Sequence, residues 1–453
     1  MYASTARSRF AGRGLVSRPA AEAPRSSAHA PRGPAWAPAL ASRTGFHYGW
    51  IVVAITFIVL LVAAGLRALP AVFITPLELE LGWDRAGISL AVAVSWIVVG
   101  LAGPFSGWLI DRVGPRHTMV AGLALTIVGT APMVVMTTLW ELNLWWGIVA
   151  GLGTGMLSLV IGAAVVNRWF AVRHGLAVGI LGAGTSAGTL VFLPIMMSVT
   201  LALGWRAAVV LTIGILAIVV IPLVILLVHD TPSELGLEMY GADREPARAA
   251  TLTGPLSSIS EALRTLDFWL LAGSFFICGF TSTGLIGLHL VPHVIEIGFT
   301  ETVAAGTMAL LGAMNVVGTM GSGYLTDRFN PRRLLGIYYA FRALSLLLLP
   351  LVADPVGLMI FAVLFGLDYI ATVPPTVALT ADRFGRRSVG LLFGWIVCSH
   401  QIGAAAASSF GGVMHVWMGD YSFAFLAAGV LGFVAAGLSL RISRGRSAST
   451  TFI

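Results

Sequence analysis

Gly107-Trp108-Leu109-Ile110-Asp111-Arg112-Val113-Gly114-Pro115-Arg116 reads as the end of one apolar helix, a short charged turn and the start of another. Its first half returns as Gly323-Tyr324-Leu325-Thr326-Asp327-Arg328, 216 residues later. The offset holds elsewhere. Pro76-Leu77-Glu78-Leu79-Glu80-Leu81-Gly82-Trp83 returns at the same shift as Pro292-His293-Val294-Ile295-Glu296-Ile297-Gly298-Phe299. Arg168, Gly175 and Gly179 match Arg383, Gly390 and Gly394 at a shift of 215. One offset across three separated loops makes the chain a duplicated unit. A weaker echo of Leu81-Gly82-Trp83 in Leu203-Gly204-Trp205 points to three-helix units inside the first half.

The flanks of these turns are apolar. Of 453 residues, 57% are hydrophobic and only 10% charged, and the mean hydropathy is +0.90. Soluble domains carry about 25% charged residues, so lipid must cover much of this surface. The apolar runs are too continuous for a membrane barrel, whose strands alternate with polar lumen residues. At about 20 residues per span, apolar stretches fall near 49–70, 87–108, 118–138, 141–166, 175–200 and 206–228. A second set falls near 267–290, 302–325, 333–353, 356–379, 388–413 and 421–441. The expected fold is an all-α membrane protein with twelve transmembrane helices in two pseudo-symmetric six-helix bundles. Its divisions are a disordered basic tail (1–46), a first bundle (47–228), a polar linker (229–264), a second bundle (265–441) and a short tail (442–453). The basic tail has the composition of a transit peptide; a disordered extension or an over-long gene start fits it better. Cys278 and Cys398 both lie in apolar segments, where they read as packing residues rather than a disulfide or metal set.

Every one of the 27 basic residues is arginine, which points to a GC-rich genome and a bacterial inner membrane. With the N-terminus inside, 23 of the 27 fall on one side, in the tails, the linker and alternate loops. Positive charge marks cytoplasmic loops, so both termini are expected in the cytoplasm. Arg85 and Arg206 fall outside, and Arg67 and Arg342 fall within spans.

The turn at Gly107–Arg116, between spans 2 and 3, resembles the signature loop of the major facilitator superfamily, and its second copy lies between spans 8 and 9 as that family has it. The resemblance covers about 47–441. Trp169-Phe170-Ala171-Val172-Arg173-His174-Gly175-Leu176-Ala177-Val178-Gly179 and the glycines after it resemble the span-5 motif of the monocarboxylate-transporter-like and oxalate–formate-antiporter-like branch. His47-Tyr48-Gly49-Trp50 is loosely similar to that branch's entry to span 1. The resemblance implies a secondary transporter with parallel halves, each built from inverted triplets. It also implies a conformational latch at Gly107, Asp111, Arg112, Gly114 and Arg116, repeated at Asp327 and Arg328. In it each aspartate faces the positive N-terminus of a neighbouring helix, and the arginines pair with acids of the facing bundle. The bland alternative is that these charges only mark topology. There is one departure: the Asp and Arg that such carriers often hold four residues apart in span 8 are replaced by Asn315 and Thr319. The span-5 Gly-Pro pair of proton-driven drug exporters is also missing, since Leu193-Pro194 does not match it.

Ionisable groups inside the hydrocarbon are costly and by default point to function. Arg67 offers a planar fork suited to a carboxylate, or it snorkels to the interface or pairs structurally. Its repeat counterpart is Thr283. Asp368, in Gly366-Leu367-Asp368-Tyr369 of span 10, is either a proton-coupling carboxylate or a fixed partner of Arg342 in span 9. Asn315, His400 and Gln401 fall near the midplane and either shape a substrate site or hydrogen-bond helices together. Tyr369, Tyr338 and Tyr339 are candidates to line the site, and His289 and His293 read as interfacial. No phosphate-cradling loop, nucleophile elbow or metal-spaced His/Cys set occurs, so no enzyme activity, cofactor or metal is expected. The expected partners are the bilayer and a small, anionic molecule, with no nucleic acid, and function as a monomer. The expected activity is symport with protons or exchange of an organic anion, plausibly a monocarboxylate. The alternatives are a proton-driven exporter of amphipathic compounds and a non-transporting membrane sensor.

Overall fold

The computed structural model describes residues 47–83, 85–242 and 259–443. The basic tail, the middle of the linker with Arg244, Glu245 and Arg248, and the residues from 444 onward lie outside the described residues. Twelve helices are long and apolar enough to cross a membrane. Spans 1 to 6 are Gly49–Arg67, Leu90–Val113, Pro115–Val135, Leu139–Trp169, His174–Leu203 and Trp205–Leu227. Spans 7 to 12 are Leu266–Glu296, Thr302–Thr326, Pro331–Leu351, Pro355–Phe384, Val389–Met418 and Ser422–Arg441. Helices are the natural solution, because in lipid each backbone polar group must be paired within its own segment. Among the described residues the only β pairing is one isolated bridge, between Phe170 and Tyr240.

The repeated Pro76–Trp83 and Pro292–Phe299 segments, read from sequence as loops, are mostly helical. Span 1 continues beyond Arg67 as a helix over Pro70–Leu81, and Gly287–Glu296 completes span 7. Strong helix formers in these stretches outweigh a single internal proline, and the glycine six residues after it supplies the stop. Gly82 and Gly298 both take positive φ, +67° and +98°, the left-handed conformation that ends a helix at little cost for glycine.

Span 10 breaks in the middle. Pro374 and Pro375 lack the N–H groups that would bond the carbonyls of Ile370 and Ala371, and their rings crowd those carbonyls. The helix accordingly stops at Asp368 and resumes at Val373. This break leaves polar backbone groups deep in the second bundle.

The two bundles meet where spans 2 and 11 cross and where spans 5 and 8 cross. The repeated glycines are the crossing points. A Cβ on Gly107 would stand 2.3 Å from the Gly390 carbonyl oxygen, and one on Gly323 would stand 2.4 Å from that of Gly175. Gly103 and Gly394 approach in the same way, a Cβ on Gly103 lying 3.0 Å from the Gly394 oxygen. Only residues without side chains let the backbones come this close. Both crossings sit at the arginine-rich end of the molecule, which is therefore closed.

Candidate functional site

The two arginines inside the spans stand in opposite circumstances. Arg342 is fully buried, and its Nε donates to Asp368 Oδ2 at 2.6 Å. Its NH2 donates to the carbonyls of Asp368 (2.6 Å) and Tyr369 (3.1 Å), on the edge of the span-10 break. Its NH1 reaches Cys278 Sγ at 3.0 Å and Thr281 Oγ1 at 3.4 Å on span 7. A planar five-donor group suits this work, because it serves several acceptors at fixed angles. The break draws on span 8 as well: Ser322 Oγ donates to the Ala371 carbonyl at 2.5 Å. Asp368 Oδ1 is buried without a hydrogen-bond partner, as are the hydroxyls of Tyr338 and Tyr339.

Arg67 has no carboxylate partner among the described residues. Its one hydrogen bond is a long one, NH1 to the Thr154 carbonyl of span 4 at 3.4 Å. It lies 18 residues from Gly49, about 27 Å along the helix axis at 1.5 Å per residue. Helical side chains lean toward the N-terminus of their helix, which brings this guanidinium back toward the midplane. The helix continues beyond it over Pro70–Leu81.

Asn315 is already engaged. Its Nδ2 donates to Ser186 Oγ of span 5 at 2.7 Å, across the two bundles. Its Oδ1 accepts from Thr319 Oγ1 (3.0 Å) and from Ile370 N in the span-10 break (3.1 Å). Of the two roles read for it from the sequence, this structure displays the helix-to-helix one: Asn315 bridges spans 5, 8 and 10. His400 and Gln401 are half-buried at mid-span, with His400 Nδ1 3.1 Å from Gln401 Oε1 and its ring 5.0 Å from that of Phe275. Gln401 Cβ would lie 3.0 Å from a Cβ on Gly100 of the opposite bundle. The Tyr369 hydroxyl stands 3.2 Å from where a Cβ on Gly287 of span 7 would lie. Arg67 and Thr283 hold equivalent positions in the two halves by the 216-residue offset.

At the closed end the carboxylates cross between bundles. Asp327 accepts from Gly175 N at 2.6 Å and Leu176 N at 2.8 Å, capping the start of span 5 from the other bundle. Burial pushes its carboxyl up from the usual value, against the pull of those two amide bonds. Arg173, just before the capped helix, has φ +57°, an uncommon conformation for a residue with a side chain. Asp111 occupies the equivalent place, its Oδ1 3.4 Å from a Cβ on Gly390 at the start of span 11. The arginines do otherwise than expected. Arg112 lies over the Trp108 ring at 4.4 Å and Arg328 over Tyr324 at 4.3 Å, each one turn back on its own helix. Arg116 donates its backbone N–H to Asp230 at 2.8 Å and its side chain to the Ile225 carbonyl, all within the first half. Asp230 also fills the space where a side chain on Gly114 would stand. Arg386 does reach across the bundles, bonding the carbonyls of Phe170 (3.1 Å) and Ala171 (3.4 Å). Among the bonds described, none joins the bundles beyond Asn315 toward the opposite end.

The family model described as Major Facilitator Superfamily matches residues 55–367 and 315–451. The chain belongs to the major facilitator superfamily. It is 26% identical over 403 residues to the uncharacterized MFS-type transporter YcxA of Bacillus subtilis (strain 168), covering 88% of this chain and 95% of the relative. It is 26% identical over 410 residues to the oxalate:formate antiporter of Oxalobacter formigenes, covering 86% and 90%. It is 25% identical over 406 residues to monocarboxylate transporter 12-B of Danio rerio, covering 84% of each. Among solved structures, the proton:xylose symporter XylE superposes with a TM-score of 0.69 at 15% identity, covering 87% of this chain and 96% of that one. The E. coli fucose:proton symporter FucP gives 0.64 at 15%, covering 87% and 100%. This superfamily member is therefore an integral membrane transporter of a small molecule, and not an enzyme.

Several residues of the superfamily chain's polar framework had no sequence signal of their own. Ser186, Ser322 and Asp230 matter only through the partners the fold gives them. Cys278, read as packing, touches Arg342 and lies 3.2 Å from Thr372 Oγ1. His289 and His293, in the last turns of span 7, are buried: His289 lies 3.0 Å from the Ser408 carbonyl, and both rings pack around Tyr421. The adjacent Pro374-Pro375 was a usable signal for the span-10 break, and with it for the company Arg342 keeps.

Proposed function

We propose that this transporter moves a small organic anion of the monocarboxylate class by alternating access, with proton symport or exchange supplying the energy. The observation that carries the reading is the contrast between its two intramembrane arginines. A guanidinium cannot shed its proton, and a cation inside a bilayer needs a counter-charge. Arg342 has Asp368; Arg67 has one weak carbonyl contact. A substrate carboxylate is the missing partner, held by the two-pronged bonding that arginine offers. A single uncompensated cation favours one negative charge on the substrate. His400, Gln401 and Tyr369 shape specificity on the second bundle, while Asn315 serves as a bridge. The oxalate:formate and monocarboxylate names of the relatives support the same substrate class.

The arginine-rich face lies in the cytoplasm of a bacterial inner membrane, with both termini inside. The closed end is then the cytoplasmic one, and the substrate enters from outside in this conformation. The test is uptake of a radiolabelled carboxylate panel into proteoliposomes by wild type, Arg67→Lys and Arg67→Ala. A charge-assisted hydrogen bond contributes about 1.5–3 kcal/mol, so Arg67→Ala should lower transport at limiting substrate by about 10- to 150-fold. Arg67→Lys keeps the charge and should lose less. Normal anion uptake by Arg67→Ala would overturn the assignment of this residue. Transport of amphipathic cations but no carboxylates by wild type would overturn the substrate class.

A further inference from the structure

On the lipid-facing side of the second bundle, the packed seam of spans 9 and 12 carries an open groove of about 350 Å³ near the arginine-rich end. Small residues carve it. Arg333, Ile337 and Ala340 of span 9 and Ala436 and Leu440 of span 12 line it, with the Leu440 side chain lying across buried Gly336. Ile337 is 63% and Leu440 50% exposed. Arg333 stands three residues into span 9, and Arg441 ends span 12. Both are exposed, and neither has an acidic partner among the described residues. Asp267, which accepts the Ser443 N–H, is already bound to Arg383 at 2.5 Å. Arg332 ties the two helices together by donating to the Ile442 carbonyl at 3.0 Å, and its buried Nε has no partner. The remaining chain, 442–453, adds Arg444 and Arg446 and no acid.

An apolar slot runs from the headgroup level at Arg333 to Ala340, about 10 Å deeper at 1.5 Å per residue. Its mouth carries unneutralised guanidinium groups at the depth where phosphates lie. We infer that this groove is a binding site for an anionic phospholipid, an acyl chain lying against Ile337, Ala340 and Ala436 and the phosphate resting on Arg333 and Arg441. Charge complementarity selects this occupant. A zwitterionic lipid brings no net charge to the arginines, and a second copy of the chain would bring the same arginines against them. Basic pockets between helices on the cytoplasmic side are suited to anionic headgroups. The site lies on the outer surface of the bundle and is independent of the transport reading at Arg67.

The experiment uses the full chain, equilibrated in detergent with equimolar phosphatidylglycerol and phosphatidylcholine of identical acyl chains. Native mass spectrometry counts the lipids retained. Attraction is about fivefold per arginine at the surface, so wild type should keep phosphatidylglycerol over phosphatidylcholine by at least that factor. Arg333→Gln with Arg441→Gln should bring the ratio to parity without moving the melting temperature. Ala340→Phe, which fills the slot and leaves the charge, should lower retention of both lipids. Equal retention by wild type, or an undiminished preference in the double glutamine variant, overturns the site. A dimer in light scattering that Ala340→Phe dissolves would assign the groove to a second copy instead, and also overturns it.

Discussion

Removing the charge of Asp368 should expose how much of the second bundle depends on it. In Asp368→Asn the guanidinium of Arg342 stays charged, because arginine does not deprotonate in proteins. It keeps its contacts to the Asp368 and Tyr369 carbonyls, to Cys278 and to Thr281, but loses its counter-charge. Breaking a buried pair from one side costs about 3–5 kcal/mol. Arg342→Met strands the carboxylate and also leaves two carbonyls of the span-10 break unpaired, at about 1–3 kcal/mol each. Here the carboxylate has an escape that arginine lacks: it can take up a proton. The double variant Arg342→Met/Asp368→Asn has no buried charge, so only the carbonyl cost remains. It should melt above Arg342→Met even though it carries one change more. For a cooperative unit of 150–250 residues, 1 kcal/mol moves the melting temperature by about 2–4 °C, so Asp368→Asn should melt about 6–20 °C below wild type. Tryptophan-fluorescence melting in detergent measures this, with uptake against external pH in proteoliposomes beside it. If Asp368→Asn melts within 2 °C of wild type, or the double variant falls by the sum of the singles, the pair does not hold the bundle. If the double variant recovers stability but its uptake no longer responds to pH, Asp368 is the proton carrier rather than a fixed partner.

Other outcomes follow from the closed end. Gly323→Ala and Gly107→Ala place a methyl group 2.4 and 2.3 Å from a carbonyl of the other bundle, so the crossings should part. Spin labels on His117→Cys and Phe329→Cys should report a longer distance; an unchanged distance would show that the crossings are not the contacts that keep this end shut. Burial raises the Asp327 carboxyl in the closed form, whereas opening returns it to water and its ordinary value. The closed form thus holds this proton more tightly. That advantage is full below the ordinary carboxyl range and is lost as pH rises through the raised value. Acidifying from pH 7 toward pH 4 should shorten the same label distance, and Asp327→Asn should weaken that dependence. Asn315→Ala should leave carboxylate affinity within about threefold while weakening the central bridge to Ser186; a loss of affinity tenfold or more would return Asn315 to the substrate site.

How much was legible follows from which physical forces act locally. The duplicated glycines at 107, 175, 323 and 390 were found by offset alone, and they proved to be the contact points between bundles. A residue repeated because backbones must touch stays recognisable, since no other side chain fits. The arginine-pairing part of the latch was not legible. Arg112 and Arg328 settle on aromatic rings one helical turn away, and nothing in the turn's sequence says which of two local partners a flexible side chain takes. Arg342 could be placed near Asp368 by depth, but its role in capping a broken helix needed the positions of spans 7, 9 and 10 together.

By itself the sequence determined the membrane class, the twelve spans, the duplication and the number of charges left inside the lipid. Those follow from hydropathy and helix length, which act within single segments. Only the tertiary structure decided which of the two buried arginines is neutralised. Coulomb attraction between side chains depends on the distance between helices far apart in the chain, so the pairing of Arg342 with Asp368, and the lack of a carboxylate partner for Arg67 among the described residues, are visible only once the helices are packed.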